Sequence, residues 1–147
     1  MSDTLVAEVQ EYLDGLGDFT GTGGVVVESV DPDDVRVRWT YDEASLRPGG
    51  IISGPTLFSI ADLCGWVLVF ATEGVTPMAV TWDLHITFLR QAIGGDVVAV
   101  AKQLKRGRTL IYGDVVMAMA AEPNKPVAHA TVTYALPSPE TVPKPPG

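Results

Sequence analysis

SGPTLFSIADLCGWVLVFA, residues 53–71, is the stretch on which the fold turns. Ser53 or Gly54 is placed to cap a helix, and Pro55 suits its first turn because the missing N–H is not needed there. From Pro55 to Ala71 the residues are apolar on nearly every side, so the spacing predicts a helix buried all round. Gly74 and Pro77 stop it. About 16 residues at ~1.5 Å each give a rod of ~24 Å. The run is shorter than a membrane span and carries Asp62.

The flanking sequence has strand periodicity. Upstream, residues 4–16 place Leu5, Val9, Tyr12, Leu13 and Leu16 at helical spacing, with Ser2 or Asp3 as cap. Val25–Val30 is β-branched. Val35, Val37, Trp39 and Tyr41 alternate with Arg36, Arg38 and Thr40, and Asp31-Pro32-Asp33-Asp34 between the two runs reads as a turn. Residues 42–53 read as a loop. Downstream, residues 79–90, 96–105, 109–120 and 127–136 form four strand candidates. Turn residues separate them at Gly94-Gly95, Arg106-Gly107 and Pro123-Asn124. In the first of the four, strict alternation puts Val80, Trp82, Leu84, Ile86 and Phe88 on one face. Thr81, Asp83, His85 and Thr87 fall on the other. The prediction is an α+β domain: a six-stranded antiparallel sheet wrapped around one long central helix, with a short N-terminal helix. One helix cannot cover the whole sheet, so apolar surface is left for a second copy. Residues 1–136 form the domain. Residues 137–147 hold five prolines and read as a disordered tail.

Composition limits the functions. The chain has 147 residues, 46% hydrophobic and 19% charged, as expected for one globular domain. Its net charge of −8 disfavours nucleic acid. One cysteine and two histidines provide no disulfide and no thiolate-rich metal cluster. The N-terminus lacks a signal pattern and no membrane anchor is expected, so a cytoplasmic setting is the default.

Several residues invite chemistry. Asp62 lies too deep in the helix to cap it. Its helical neighbours Phe58, Ser59, Gly65 and Trp66 offer little polar company, which makes a buried carboxylate costly unless hydrogen bonds hold it. Otherwise Asp62 sits on a wet stripe of the helix. Ser53 is either an N-cap or a nucleophile, and a nucleophile needs a base that the sequence does not show beside it. Lys102, Lys105, Arg106 and Arg108 put four of the ten basic residues within seven positions. They suit phosphates, or they are a solvated hairpin tip. Asp83 and His85 share a strand face with Thr81, which reads more readily as a polar strand than as a dyad. Trp66, Trp82 and Phe88 read as core, with Trp66 one turn beyond Asp62. Cys64 reads as a small buried hydrophobe.

Taken together, residues 49–55, Leu57, Ala61, Asp62 and Ala79-Val80-Thr81-Trp82-Asp83-Leu84…Phe88-Leu89-Arg90 resemble the hotdog acyl-CoA thioesterase superfamily, nearest its phenylacetic-acid-degradation type. The family's His-Gly-Gly, Leu-Ala-Asp and Phe-Leu-Arg-Pro-Ala correspond to Ser53-Gly54-Pro55, Ile60-Ala61-Asp62 and Phe88-Leu89-Arg90-Gln91-Ala92. Lys105-Arg106-Gly107-Arg108 matches its basic hairpin, and the resemblance spans residues 25–134.

It implies a hotdog fold and hydrolysis of an acyl-CoA thioester. Asp62 would be general base or nucleophile, the Gly54 backbone N–H the oxyanion donor, and Ser53 a group beside the reacting centre. Pro55, Trp66, Thr81, Arg90, Arg106 and Arg108 would bind substrate. It implies a homodimer or a tetramer built as a dimer of dimers, with Gly54 and Asp62 of one site on different subunits. No metal and no cofactor are implied, since coenzyme A is part of the substrate. Two departures stand out: Ser53 replaces a His, and Pro55 replaces a Gly. A serine hydroxyl donates a hydrogen bond but takes up no proton near neutral pH, so a non-catalytic acyl-CoA binding or sensing protein is the alternative. A hydratase of the same fold is disfavoured because no His precedes Leu84.

Overall fold

The structure is a computed structural model and describes residues 3–17 and 24–138. Ser2 and most of the proline-rich tail, residues 139–147, lie outside the described residues. The elements run α1 (Asp3–Gly15), β1 (Val25–Asp31), β2 (Asp34–Trp39), a 3-10 turn (Glu43–Ser45), β3 (Leu46–Arg47), β4 (Ile51–Ile52), α2 (Gly54–Glu73), β5 (Val80–Phe88), β6 (Val97–Arg106), β7 (Leu110–Met119) and β8 (Pro126–Ala135). Six strands form one antiparallel sheet in the order β1-β2-β6-β7-β8-β5. The expected hotdog architecture is present: the sheet curls round α2, which touches all six of its strands. Residues 42–53, read as a plain loop, also hold the 3-10 turn and the two-residue hairpin β3–β4.

The local chemistry accounts for α2. Ser53 is its N-cap: Thr56 N donates to Ser53 Oγ at 3.3 Å, and Gly74 ends the helix with φ 76°. The helix has 20 residues, longer than the sequence reading made it, and by length and composition alone it would cross a bilayer. Here it is a core helix. Ile60, Cys64, Val67, Leu68 and Phe70 have no more than 1% of their surface exposed. Burial of this apolar surface is the main favourable term, at about 25 cal/mol per Å². Close packing needs two glycines. A Cβ on Gly113 of β7 would lie 2.7 Å from both Leu68 Cδ2 and Lys102 O, and one on Gly65 would lie 3.0 Å from Val132 and Tyr134 side-chain atoms.

The β1 side of the sheet is covered by α1. Gln10 donates to Val25 O at 3.1 Å and accepts from Val27 N at 2.7 Å, as a neighbouring strand would. Among the described residues no such cover lies on β5 at the opposite edge, where Val80, Trp82 and Phe88 are exposed. Trp82 and Phe88 are therefore not core residues, contrary to the sequence reading.

Strand β5 also departs from strict alternation. Thr81 pairs with Tyr134 and Asp83 with Thr133, so Trp82 is an extra residue in a bulge. Thr81 therefore shares the helix-facing side with Leu84 and Ile86, while Asp83 and His85 lie on the outer face. The expected grouping of Thr81 with Asp83 and His85 does not hold. A second bulge between Gln103 and Lys105 pairs Arg106 with Ile111, which turns it toward the helix side.

Candidate active site

Asp62 lies half-buried in the middle of α2, on the stripe that faces β5 and β8. The bulge at Trp82 brings Thr81 to it: Thr81 Oγ1 donates to Asp62 Oδ1 at 2.6 Å. From β8, Tyr134 OH donates to the same Oδ1 at 2.7 Å and reaches the Asp62 carbonyl oxygen at 2.7 Å. One phenolic proton serves two acceptors, a three-centre bond. The carboxylate that the sequence left without polar company thus has two donors, both on Oδ1. Oδ2 accepts no hydrogen bond from the described residues. Burial, then the charge of Asp62, raises Tyr134 well above the ordinary phenol range, so it stays protonated and remains a donor.

Asp62 borders a cleft of about 410 Å³ between α2 and the start of β5. Phe58, Leu63, Trp66 and Val80 make its walls mostly apolar, and Ser59, Thr81 and Tyr134 add hydroxyls. Trp66 is held edge-on to Tyr12 of α1 at 5.8 Å and packs on Phe70 at 5.1 Å. Trp82 is 68% exposed and does not line the cleft.

The other sequence candidates are elsewhere. Gly54 is eight residues before Asp62, about 12 Å along the helix, and lines a separate hollow of about 480 Å³ with Arg47, Phe88 and Arg90. Its N–H, at the positive end of α2, meets no acceptor among the described residues. A Cβ there would be 3.3 Å from the Phe88 ring. Ser53 Oγ is engaged with Thr56, through its N–H and through its Oγ1 at 2.8 Å, while Pro55 is exposed in the first turn. Arg90 donates to Pro126 O at 2.7 Å and lines the Gly54 hollow, not the one that Arg106 and Arg108 line. Arg106 forms an ion pair with Glu73 at the end of α2. Arg108 shares with that pair a hollow of about 290 Å³ that also reaches Thr76 and Leu136, two residues beyond Tyr134.

Two residues were missed or misplaced by sequence reasoning. Tyr134 reads as one more inward position of an apolar strand, and only its hydroxyl hinted at a polar partner. The nearness of Thr81 to Asp62 depends on a bulge that has no residue signature. Cys64 is buried as expected. Among the described residues, no group of three His, Cys, Asp or Glu side chains is placed to hold a metal ion.

The sequence description of the thioesterase superfamily matches residues 49–122. Among solved structures, thioesterase superfamily member 2 of zebra fish is 26% identical, with a TM-score of 0.79 over 90% of this chain and 98% of that one. A phenylacetic acid degradation-related protein of Ralstonia eutropha JMP134 is 28% identical, with a TM-score of 0.72 over 82% and 90%. A Streptococcus mutans UA159 protein bound to acetyl-CoA shares the fold at 22% identity, with a TM-score of 0.68 over 78% and 90%. A Deinococcus radiodurans relative is 35% identical over 88 residues, which span 58% of its length.

Proposed function

Because the chain belongs to the thioesterase superfamily, we propose that it hydrolyses an acyl-CoA thioester to the free acid and CoA. The observation that carries this reading is the Asp62 carboxylate at the cleft, with Oδ1 held by Thr81 and Tyr134 and Oδ2 left unbonded. Oδ2 takes a proton from water as the water oxygen bonds to the thioester carbonyl carbon. The C–S bond then breaks, and the CoA thiolate recovers that proton. Attack by Oδ2 itself, through an acyl anhydride that water then opens, uses the same oxygen.

The oxyanion needs a donor within about 3 Å. Gly54 N–H of the same chain is about 12 Å from Asp62, so the site is completed by Gly54 of a second copy across the β5 edge. The exposed Val80, Trp82 and Phe88 support that assembly, a dimer or a dimer of dimers. Acyl-CoA as the ligand is supported by the acetyl-CoA-bound relative of the same fold. Arg108 receives the phosphates, with Arg106 beside it paired to Glu73.

The alternative, a non-catalytic acyl-CoA binder, is favoured by one observation: Ser53, where the family carries His, is occupied in capping α2. Thiol release across aliphatic and aromatic acyl-CoAs, with binding measured in parallel, separates the two. Asp62→Asn is expected to lower kcat by about 10²–10⁴ with binding retained. A wild-type protein that binds tightly and turns nothing over would overturn the enzyme reading.

A further inference from the structure

We infer that Tyr134 is a positioning residue of this site: its hydroxyl, shared between the side chain and main chain of Asp62, determines which carboxylate oxygen is left to react. The inference rests on Asp62 being the catalytic group. A carboxylate on a helix ordinarily turns about its last bond, and either oxygen can face the cleft. Here the same phenol grips Oδ1 and the Asp62 carbonyl, so the carboxylate is tied to the helix backbone as well as to β8. Thr81 alone fixes only the side chain. The phenol ring is itself seated by Gly65, one turn beyond Asp62, where a Cβ would be 3.0 Å from Tyr134 Cε1.

Few charged groups surround the bond. Besides Tyr134 on β8, the Cys64 thiol lies two residues on from Asp62 in α2; burial keeps it neutral, and the charge of Asp34 on β2 adds to that effect. Strand β5 presents Thr81, with Asp83 and His85 on its outer face. Tyr12 of α1 packs on Trp66 and Phe70, and Glu73 and Arg106 pair near the far end of α2. Strands β1, β2, β6 and β7 meet the middle of α2 with apolar side chains such as Val37, Ala99 and Val115. A donor to the charged carboxylate favours that charged form, so its loss favours protonation.

The test is Tyr134→Phe, which removes one oxygen and keeps the ring. On the most active acyl-CoA, kcat is expected to fall about tenfold to a hundredfold, the worth of one hydrogen bond to a charged group, with KM little changed. The acidic limb of the pH–rate profile should move to higher pH. A purely structural role would leave that limb in place. Should Y134F not fold, 3-fluorotyrosine placed at 134, a stronger donor of nearly the same size, should move the limb to lower pH. Wild-type activity in Y134F, or an unmoved limb while Asp62→Asn is inactive, would overturn the inference alone. Full turnover in Asp62→Asn would overturn the reading of Asp62, and this inference with it.

Discussion

Gly65 and Tyr134 are in contact across the helix–sheet boundary: a methyl at Gly65 would stand 3.0 Å from Tyr134 Cε1 and 3.0 Å from Val132 Cγ2. Gly65→Ala must therefore push α2 away from β8, and Asp62 is one turn away. Overpacking of this kind typically costs ~1–3 kcal/mol. The expected outcome is a lower Tm together with a loss of kcat. Gly113→Ala supplies the control. It meets Lys102 O and Leu68 Cδ2, each at 2.7 Å, and neither residue lines the cleft, so it should lower Tm and cost less kcat in the folded protein than Gly65→Ala. Equal kcat losses in both variants would count against the Gly65–Tyr134 contact as the support of the site.

Arg106 and Arg108 are two residues apart but differ in their partners. Arg106 is neutralised by Glu73, while Arg108 has no ion-pair partner among the described residues. Arg108→Ala should raise KM for CoA thioesters and spare pantetheine thioesters, with kcat little altered, because a remote contact binds ground and transition states alike. Arg106→Ala should cost no more than about 1 kcal/mol of stability, as an exposed pair does. Titration of KM against ionic strength for both substrates would check the assignment.

The edge at β5 gives a prediction about mass and activity together. A charge on an edge strand obstructs pairing with another chain. Trp82→Lys should shift the species seen by light scattering from oligomer to monomer. Turnover should fall with it, because Gly54 and Asp62 would no longer meet. A monomeric wild type with full activity would defeat this arrangement.

Asp96 ties the start of β6 to the end of β2. Tyr41 N donates to Oδ1 at 2.8 Å and Arg38 Nε to Oδ2 at 2.8 Å. These bonds, the Tyr41 N–H first, hold its carboxyl below the ordinary value of 3.8. The stabilisation is present above that value and is lost as pH falls through the lower folded-state one. Asp96→Asn should cost about 1 kcal/mol at neutral pH. The gap between variant and wild type should close below about pH 4, near the unfolded carboxyl range. Denaturant midpoints measured from pH 7 to pH 2 would show it.

Much of this was legible in the sequence, because helix and strand periods report which side chains are buried. Residues 53–71 announced a core helix, and Ser53 and Gly74 set its ends. Six strands were placed within a few residues of their observed limits. What failed was local counting. A period of two assumes no inserted residue, and the bulge at Trp82 sent Asp83 and His85 to the face opposite Thr81. The hairpin β3–β4 is too short to show a period. The partners of Asp62 are 19 and 72 residues away in the chain, a separation across which no periodicity points.

At Trp82 the chain holds one residue more than the ladder needs. An in-frame loss of that single codon would restore a regular strand, with Thr81 still facing Asp62 and Asp83 still outside. Loss of one residue between 84 and 88 would shift each later side chain to the opposite face. Length variation in β5 should therefore be tolerated at one point and rejected a few residues away, a pattern that a deletion scan of the gene would reveal.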